Sequence, residues 1–201
     1  MMLLFGLVLG LSVGLARARW HDQAYQAPMP RAVWLAFVAI LPQLAIAYLP
    51  GTRSLFPDWL AATGLSLSLI LFAGFAWLNR GLPGMPILIT GLLLNLIVIA
   101  ANGGWMPISP QTASHLNHAD GLQLSQLGSR FGGKGILLAP QSTHLEFLAD
   151  RFLLPAWSPY QAAFSLGDVL IGIGAFWLFA RPAFKIENPR KERELNHDYI
   201  Y

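Results

Sequence analysis

Five polar side chains carry most of the chemistry this chain offers: Asn95, Asn102, Asp150, Ser165 and Asp168. Asn95 lies inside an apolar run, and Asn102 follows seven residues later on the same helical face, which Gly91 shares. An amide in hydrocarbon needs a partner, so this face is expected to point into a helix bundle, as interhelical glue or as a ligand contact. Asp168 is the one carboxylate within an apolar run, which invites a proton-relay reading. Ser165-Leu-Gly-Asp168 also has the spacing of a capping box, in which serine and acid bond each other's backbone amides at a helix start. The helix dipole favours a negative charge there as well.

Metal and nucleophile chemistry is sparser. His115 and His118 are three apart, hence on one helical face, and His144 lies in the same loop. No third ligand has a diagnostic spacing, so neither a metal nor a resident cofactor is expected. The chain has no cysteine, no Gly-x-Ser-x-Gly elbow, no His-Glu-x-x-His pair and no dinucleotide-binding glycine fingerprint. Arg130-Phe-Gly-Gly-Lys-Gly135 lacks the GxxxxGK[ST] spacing of a phosphate cradle and reads as a flexible turn. No basic patch interleaved with aromatics is present, which argues against nucleic acid.

The elements that position these residues are apolar. Of 201 residues, 55% are hydrophobic and 11% charged, well under the ~25% charged of a soluble domain. The apolar residues fall into five runs, 1–16, 32–49, 59–78, 86–101 and 164–180. Spanning a hydrocarbon core takes about 20 helical residues, so the third run is long enough and the shorter ones must borrow from their flanks. The expected fold is an all-α integral membrane bundle of five transmembrane helices, occupying 1–180. An outer loop, 102–163, is inserted between spans four and five, and a polar cytoplasmic tail, 181–201, follows.

Charge placement orients the bundle. Threaded amino-end-out, the inner parts 17–31, 79–84 and 181–201 hold nine of the thirteen basic residues, while Arg53, Arg130, Lys134 and Arg151 lie outside. Arg17 and Arg19 follow the first run rather than precede it, the pattern of an uncleaved segment and not of a secretory signal. Trp20, Tyr25, Trp34, Tyr48, Trp59, Trp77, Trp105, Trp157 and Tyr160 flank the runs as interfacial anchors. Gly6, Gly10 and Gly14 form one stripe along the first span, a signature of close helix packing against this chain or another. Pro42 and Gln43 lie mid-span, where proline frees a carbonyl that glutamine could satisfy.

The outer loop carries its own order. Asn102-Gly-Gly-Trp-Met-Pro-Ile-Ser-Pro110 makes a glycine turn, then Ser109 as cap and Pro110 at the first helical position of a short helix reaching about His118. Thr143-His-Leu-Glu146 reads as a second capping box, opening an amphipathic helix that ends before Pro155 and buries Leu145, Leu148 and Phe152.

These motifs together resemble a family of small bacterial polytopic membrane proteins known only as a domain of unknown function. The resemblance rests on Leu94-Asn95, Asn102-Gly-Gly-Trp-Met-Pro107 with Ser109, residues 145–150, and Ser165-Leu-Gly-Asp168. It covers the chain from the first span to about Ala180. It implies about five helices with an outer loop, in a bacterial inner membrane, and implies no activity. Where that family tends to carry a Lys-His pair this chain has Lys134-Gly135, which weakens a catalytic role for that spot. The expected function is a non-catalytic accessory or scaffold subunit of a larger membrane complex, of respiratory or photosynthetic kind, contacting lipids and other subunits. The alternative is a small enzyme or binding protein for a lipid or quinone at the outer face. A bound lipid, quinone or pigment is compatible with either.

Overall fold

A computed structural model describes residues 2–48, 57–116, 127–155, 157–158 and 161–181. The tail beyond Arg181, and with it His118, Arg53 and Tyr160, lies outside the described residues. Each apolar run holds a helix: α1 (Met2–Trp20), α2 (Val33–Gln43), α3 (Asp58–Leu78), α4 (Met85–Ala101) and, beyond the short α5 (Pro110–Ser114), α6 (Leu166–Ala180). Two of these, α1 and α3, are long and apolar enough to cross a membrane; α2, α4 and α6 are shorter apolar helices. Past Pro42, α2 continues as a π-helical turn, Leu44–Tyr48, and Gln43 donates to Ser68 Oγ at 2.8 Å, tying α2 to α3.

The helices pack in the order α1, α6, α4, α3, α2. Glycines set the closest approaches, because missing Cβ atoms let backbones touch. Gly6, Gly10 and Gly14 lie against the backbone of Gly172, Phe176 and Phe179, so the stripe is filled by α6 of the same chain and the two helices run parallel. Gly84 and Gly91 meet Gly174 and Gly167 in the same manner, so α4 runs antiparallel to α6. Between α3, α4 and α6 lies a core of Ala76, Met85, Leu88, Leu92, Ile171 and Leu178.

At one end of the bundle, loops are pinned by polar groups. Asn79 is buried, donates to Arg31 O at 2.9 Å and Phe75 O at 2.8 Å, and accepts from Arg31 N at 2.6 Å. Arg17 donates to Ala180 O, and Tyr25 to Phe179 O, capping carbonyls that the end of α6 leaves free.

At the other end sits a cap of short strands, which departs from the all-α expectation. β1 (Met106–Ile108) pairs in parallel with β3 (Gly135–Leu137), and β2 (Arg130–Phe131) pairs antiparallel with β3. β4 (Phe152–Leu153) pairs antiparallel with β5 (Ala163–Phe164). Runs of two or three residues leave no readable period in the sequence, because their pairing is decided by distant partners. The 130–135 stretch is thereby a hairpin rather than a loose turn.

The amphipathic helix expected from Thr143 does not form. Residues 140–142 and 146–148 make single 3-10 turns separated by Leu145, whose φ of 54° lies in the left-handed region. Two long-range demands override the local capping signal. Asn102 takes both backbone groups of His144, and Asp150 N donates to Pro107 O at 3.1 Å, drawing the segment alongside β1. Leu148 is buried, whereas Leu145 and Phe152 are exposed, so the three share no face. Upstream, Ser109 does cap α5, accepting from Thr112 N at 3.1 Å.

Aromatic placement also differs at one position. Trp20, Trp34, Trp59, Trp77 and Trp157 are exposed, but Trp105 is buried with the Arg130 guanidinium 4.5 Å above its ring. It is a cap core residue rather than an interfacial anchor.

Candidate functional site

Four elements meet where the cap sits on the helix ends. From α4, Asn95 donates to Asp168 Oδ1 at 2.9 Å and accepts from Ser165 Oγ at 2.8 Å. Ser165 and Asp168 open α6 as a reciprocal capping box: Asp168 N donates to Ser165 Oγ at 3.1 Å, and Ser165 N to Asp168 Oδ2 at 3.4 Å. Capping and network membership therefore coincide in Asp168. Its second oxygen also accepts from Lys134 Nζ at 3.2 Å, and the same ammonium lies 3.6 Å from Asp150 Oδ2. Lys134 is set by the β2–β3 hairpin, where its carbonyl accepts from Met106 N at 3.0 Å. Asp150 is held by its own amide on β1.

Asn95, Ser165, Asp168 and Asp150 are thus brought together, and Lys134 joins them. Asn102 is not in the cluster. It sits one helical stretch away, donating to Val98 O at 2.8 Å and His144 O at 2.9 Å and accepting from His144 N at 3.0 Å. It latches the cap to α4. Removing it takes partners from the buried Val98 carbonyl and from both backbone groups of His144, about 1–3 kcal/mol. Asn102→Ala is expected to open the 143–151 segment to hydrogen exchange and proteolysis while α1 and α6 stay protected.

His115 and His144 lie exposed on separate parts of the cap. Among the described residues no group of three or more His, Asp or Glu side chains is placed to hold a metal ion. Lys134 is the residue that sequence reasoning missed. The available signal was its isolation, since the chain has no other lysine before Lys185 and uses arginine elsewhere.

The electrostatics are uneven. Burial alone would lower the Lys134 pKa, but Asp150 and Asp168 together outweigh it and hold the ammonium charged above its ordinary range. Asp150 goes the other way. Burial pushes its carboxyl up to about 6, against the pull of Lys134 and with added repulsion from Asp168. Its Oδ1 is buried with no hydrogen-bond partner among the described groups. Such an oxygen costs folding energy rather than supplying it, and a buried, unpartnered acid with a raised pKa is a candidate functional group. With both carboxylates ionised the cluster carries a net −1, and one proton makes it neutral. It can take up a proton at Asp150, and Lys134, 45% exposed, can donate to an approaching acceptor.

Comparison with known proteins adds a family and no activity. No solved structure matches the chain. An uncharacterized protein of Thermotoga maritima is 31% identical over 128 residues, covering 62% of this chain and 67% of the relative. The model of a family of unknown function, DUF5317, matches residues 30–180, which takes in all four elements of the cluster. The chain belongs to the DUF5317 family.

Proposed function

We propose that this chain is a five-span membrane protein, amino end outside, that binds the polar end of a lipid or lipid-like molecule such as a quinone at its outer cap. The observation that carries this reading is Lys134, held between Asp150 and Asp168 over the buried Asn95–Ser165 pair, with one oxygen of Asp150 unpartnered among the described residues.

Sidedness supports it. Parallel α1 and α6 are what an odd number of spans requires, and Arg17, Arg31 and Arg181 gather at the end opposite the cap. Positive charge at one end is the usual mark of the cytoplasmic face, which supports reading the cluster as lying on the outer side. The exposed faces of α1 and α2, with Phe5, Val8, Trp34 and Phe37, suit lipid contact. The glycine stripe, one of the supports for an accessory-subunit reading, is filled within the chain by α6.

The test is release of the full chain from its own membranes in mild detergent, followed by extraction of what travels with it. A near-stoichiometric lipid or quinone on an otherwise solitary chain is the expected result. Stoichiometric recovery of other subunits, with no bound small molecule, would overturn the binding reading and return the protein to the role of scaffold.

A further inference from the structure

Beside the cluster, Asp150 also lines a small pocket in the cap, with Ser109, Thr112, Thr143, Glu146 and Arg151. Its volume is about 10 Å³, room for about one water. Its walls carry three hydroxyls: Ser109 and Thr112 pair with each other at 3.0 Å and Thr143 donates to Ala139 O at 3.0 Å, which leaves Thr143 Oγ1 able to accept. Glu146 and Arg151, paired at 3.1 Å and roughly half exposed, connect the pocket to the surface.

We propose that Asp150 is a proton-binding site served through this pocket, the proton arriving by water from the outer face and settling on Oδ1. The inference deepens the binding reading above and rests on it for which side is outside. The choice of oxygen follows from the partners. Oδ2 faces the Lys134 ammonium at 3.6 Å, where a proton would meet a positive charge, whereas Oδ1 has no partner among the described residues. A water in the pocket relays to Oδ1 a proton taken from bulk solvent, regaining one from the outside as it gives one up, and the new O–H donates to water or a hydroxyl of the lining. Lys134 keeps its bond to Asp168 at 3.2 Å throughout. The charged groups facing Asp150 are Lys134 from the hairpin, Asp168 from α6, and Glu146 and Arg151 on its own segment. Protonation thus moves the Lys134–Asp150–Asp168 set from net −1 to neutral without breaking its ammonium–carboxylate bond, and binding of a ligand at Lys134 becomes coupled to pH.

Infrared difference spectroscopy of the full chain in lipid nanodiscs, titrated from neutral to acid, reads the carboxyl group directly. A protonated-carboxyl band with a midpoint of about 6 is expected in the wild type. Asp150→Asn should remove it, and Lys134→Met should raise the midpoint by about 1–3 units, the effect of losing a neighbouring opposite charge. Thermal stability gives a second readout. A raised folded-state pKa means that the stabilising contribution is complete below the ordinary carboxylate range of about 4 and is lost as pH rises through about 6. The melting temperature should therefore fall across that window in the wild type and stay flatter in Asp150→Asn. A titration unchanged by Asp150→Asn, or an Asp150 midpoint near 4, would overturn the proposal. A normal titration on a chain that carries no lipid would uphold it while removing the ligand reading.

Discussion

Gly10→Leu should separate α1 from α6 and cost the protein its folded state in detergent. A Cβ at Gly10 would stand 2.5 Å from Phe176 O and 2.9 Å from Phe176 Cα, and backbone cannot rotate aside as a side chain can. Accommodating it means moving a whole helix, which would also part Gly6 from Gly172 and Gly14 from Phe179. Overpacking a well-fitted core costs about 1–3 kcal/mol, and a backbone contact repeated along one seam belongs at or above the top of that range. Gly74→Leu is the matched control. It sits mid-helix in α3 with nothing within 4 Å of the added Cβ, and leucine is the better helix former, so that variant should melt no lower than the wild type. Thermal denaturation of both variants in the same detergent decides the matter. Equal melting temperatures would mean that the α1–α6 seam is not what holds the bundle.

Lys134→Met should have the second-largest effect and a more informative one. It leaves Asp150 and Asp168 facing each other without a cation, two carboxylates of which one is already strained by burial. Breaking a buried pair by removing one partner costs ~3–5 kcal/mol; the ammonium here is 45% exposed, so about 2–3 kcal/mol is expected. Asp150→Asn alone should be close to neutral at pH 7, because it removes a charge the fold pushes against. The double variant Lys134→Met/Asp150→Asn should recover most of the loss, leaving Asp168 with its bonds to Asn95 and Ser165. Chemical or thermal unfolding of all three variants gives the coupling. Additive losses would show that Lys134 and Asp150 do not act as a pair.

What could be read from the sequence was local or periodic. Helices need only their own residues to declare themselves, and each apolar run holds one. Ser109 and the Ser165–Asp168 box are contained within four residues each, and both caps form. Asn95, Asp150 and Asp168 could be named as chemistry-bearing because amides and acids are conspicuous in an apolar chain. Their convergence could not be read, since it is set by contacts such as Asp150 N to Pro107 O, 43 positions apart in numbering.

The cap was illegible for the same reason. A parallel pairing of Met106 with Gly135 is invisible in either three-residue run alone. Lys134 looked like part of a flexible glycine turn because nothing nearby shows that Asp168, 34 positions on, lies beneath it. Thr143 misled in the opposite direction: a real local helix signal lost to Asn102, whose side chain pairs with the His144 backbone as a strand would. Trp105 was misplaced because an interfacial anchor and a cap core residue look alike until Arg130 is found stacked on the ring.

The most direct test of the account is native mass spectrometry of the wild type and of Lys134→Met/Asp150→Asn, each released from its own membranes. The double variant should keep the fold and the Asp168 cap while losing the ammonium and the raised carboxyl. The account predicts a lipid or quinone adduct on the wild type that is lost from the double variant. An adduct retained at equal occupancy on both would place the bound molecule elsewhere on the bundle and contradict the assignment of the Lys134–Asp150–Asp168 cluster as its site.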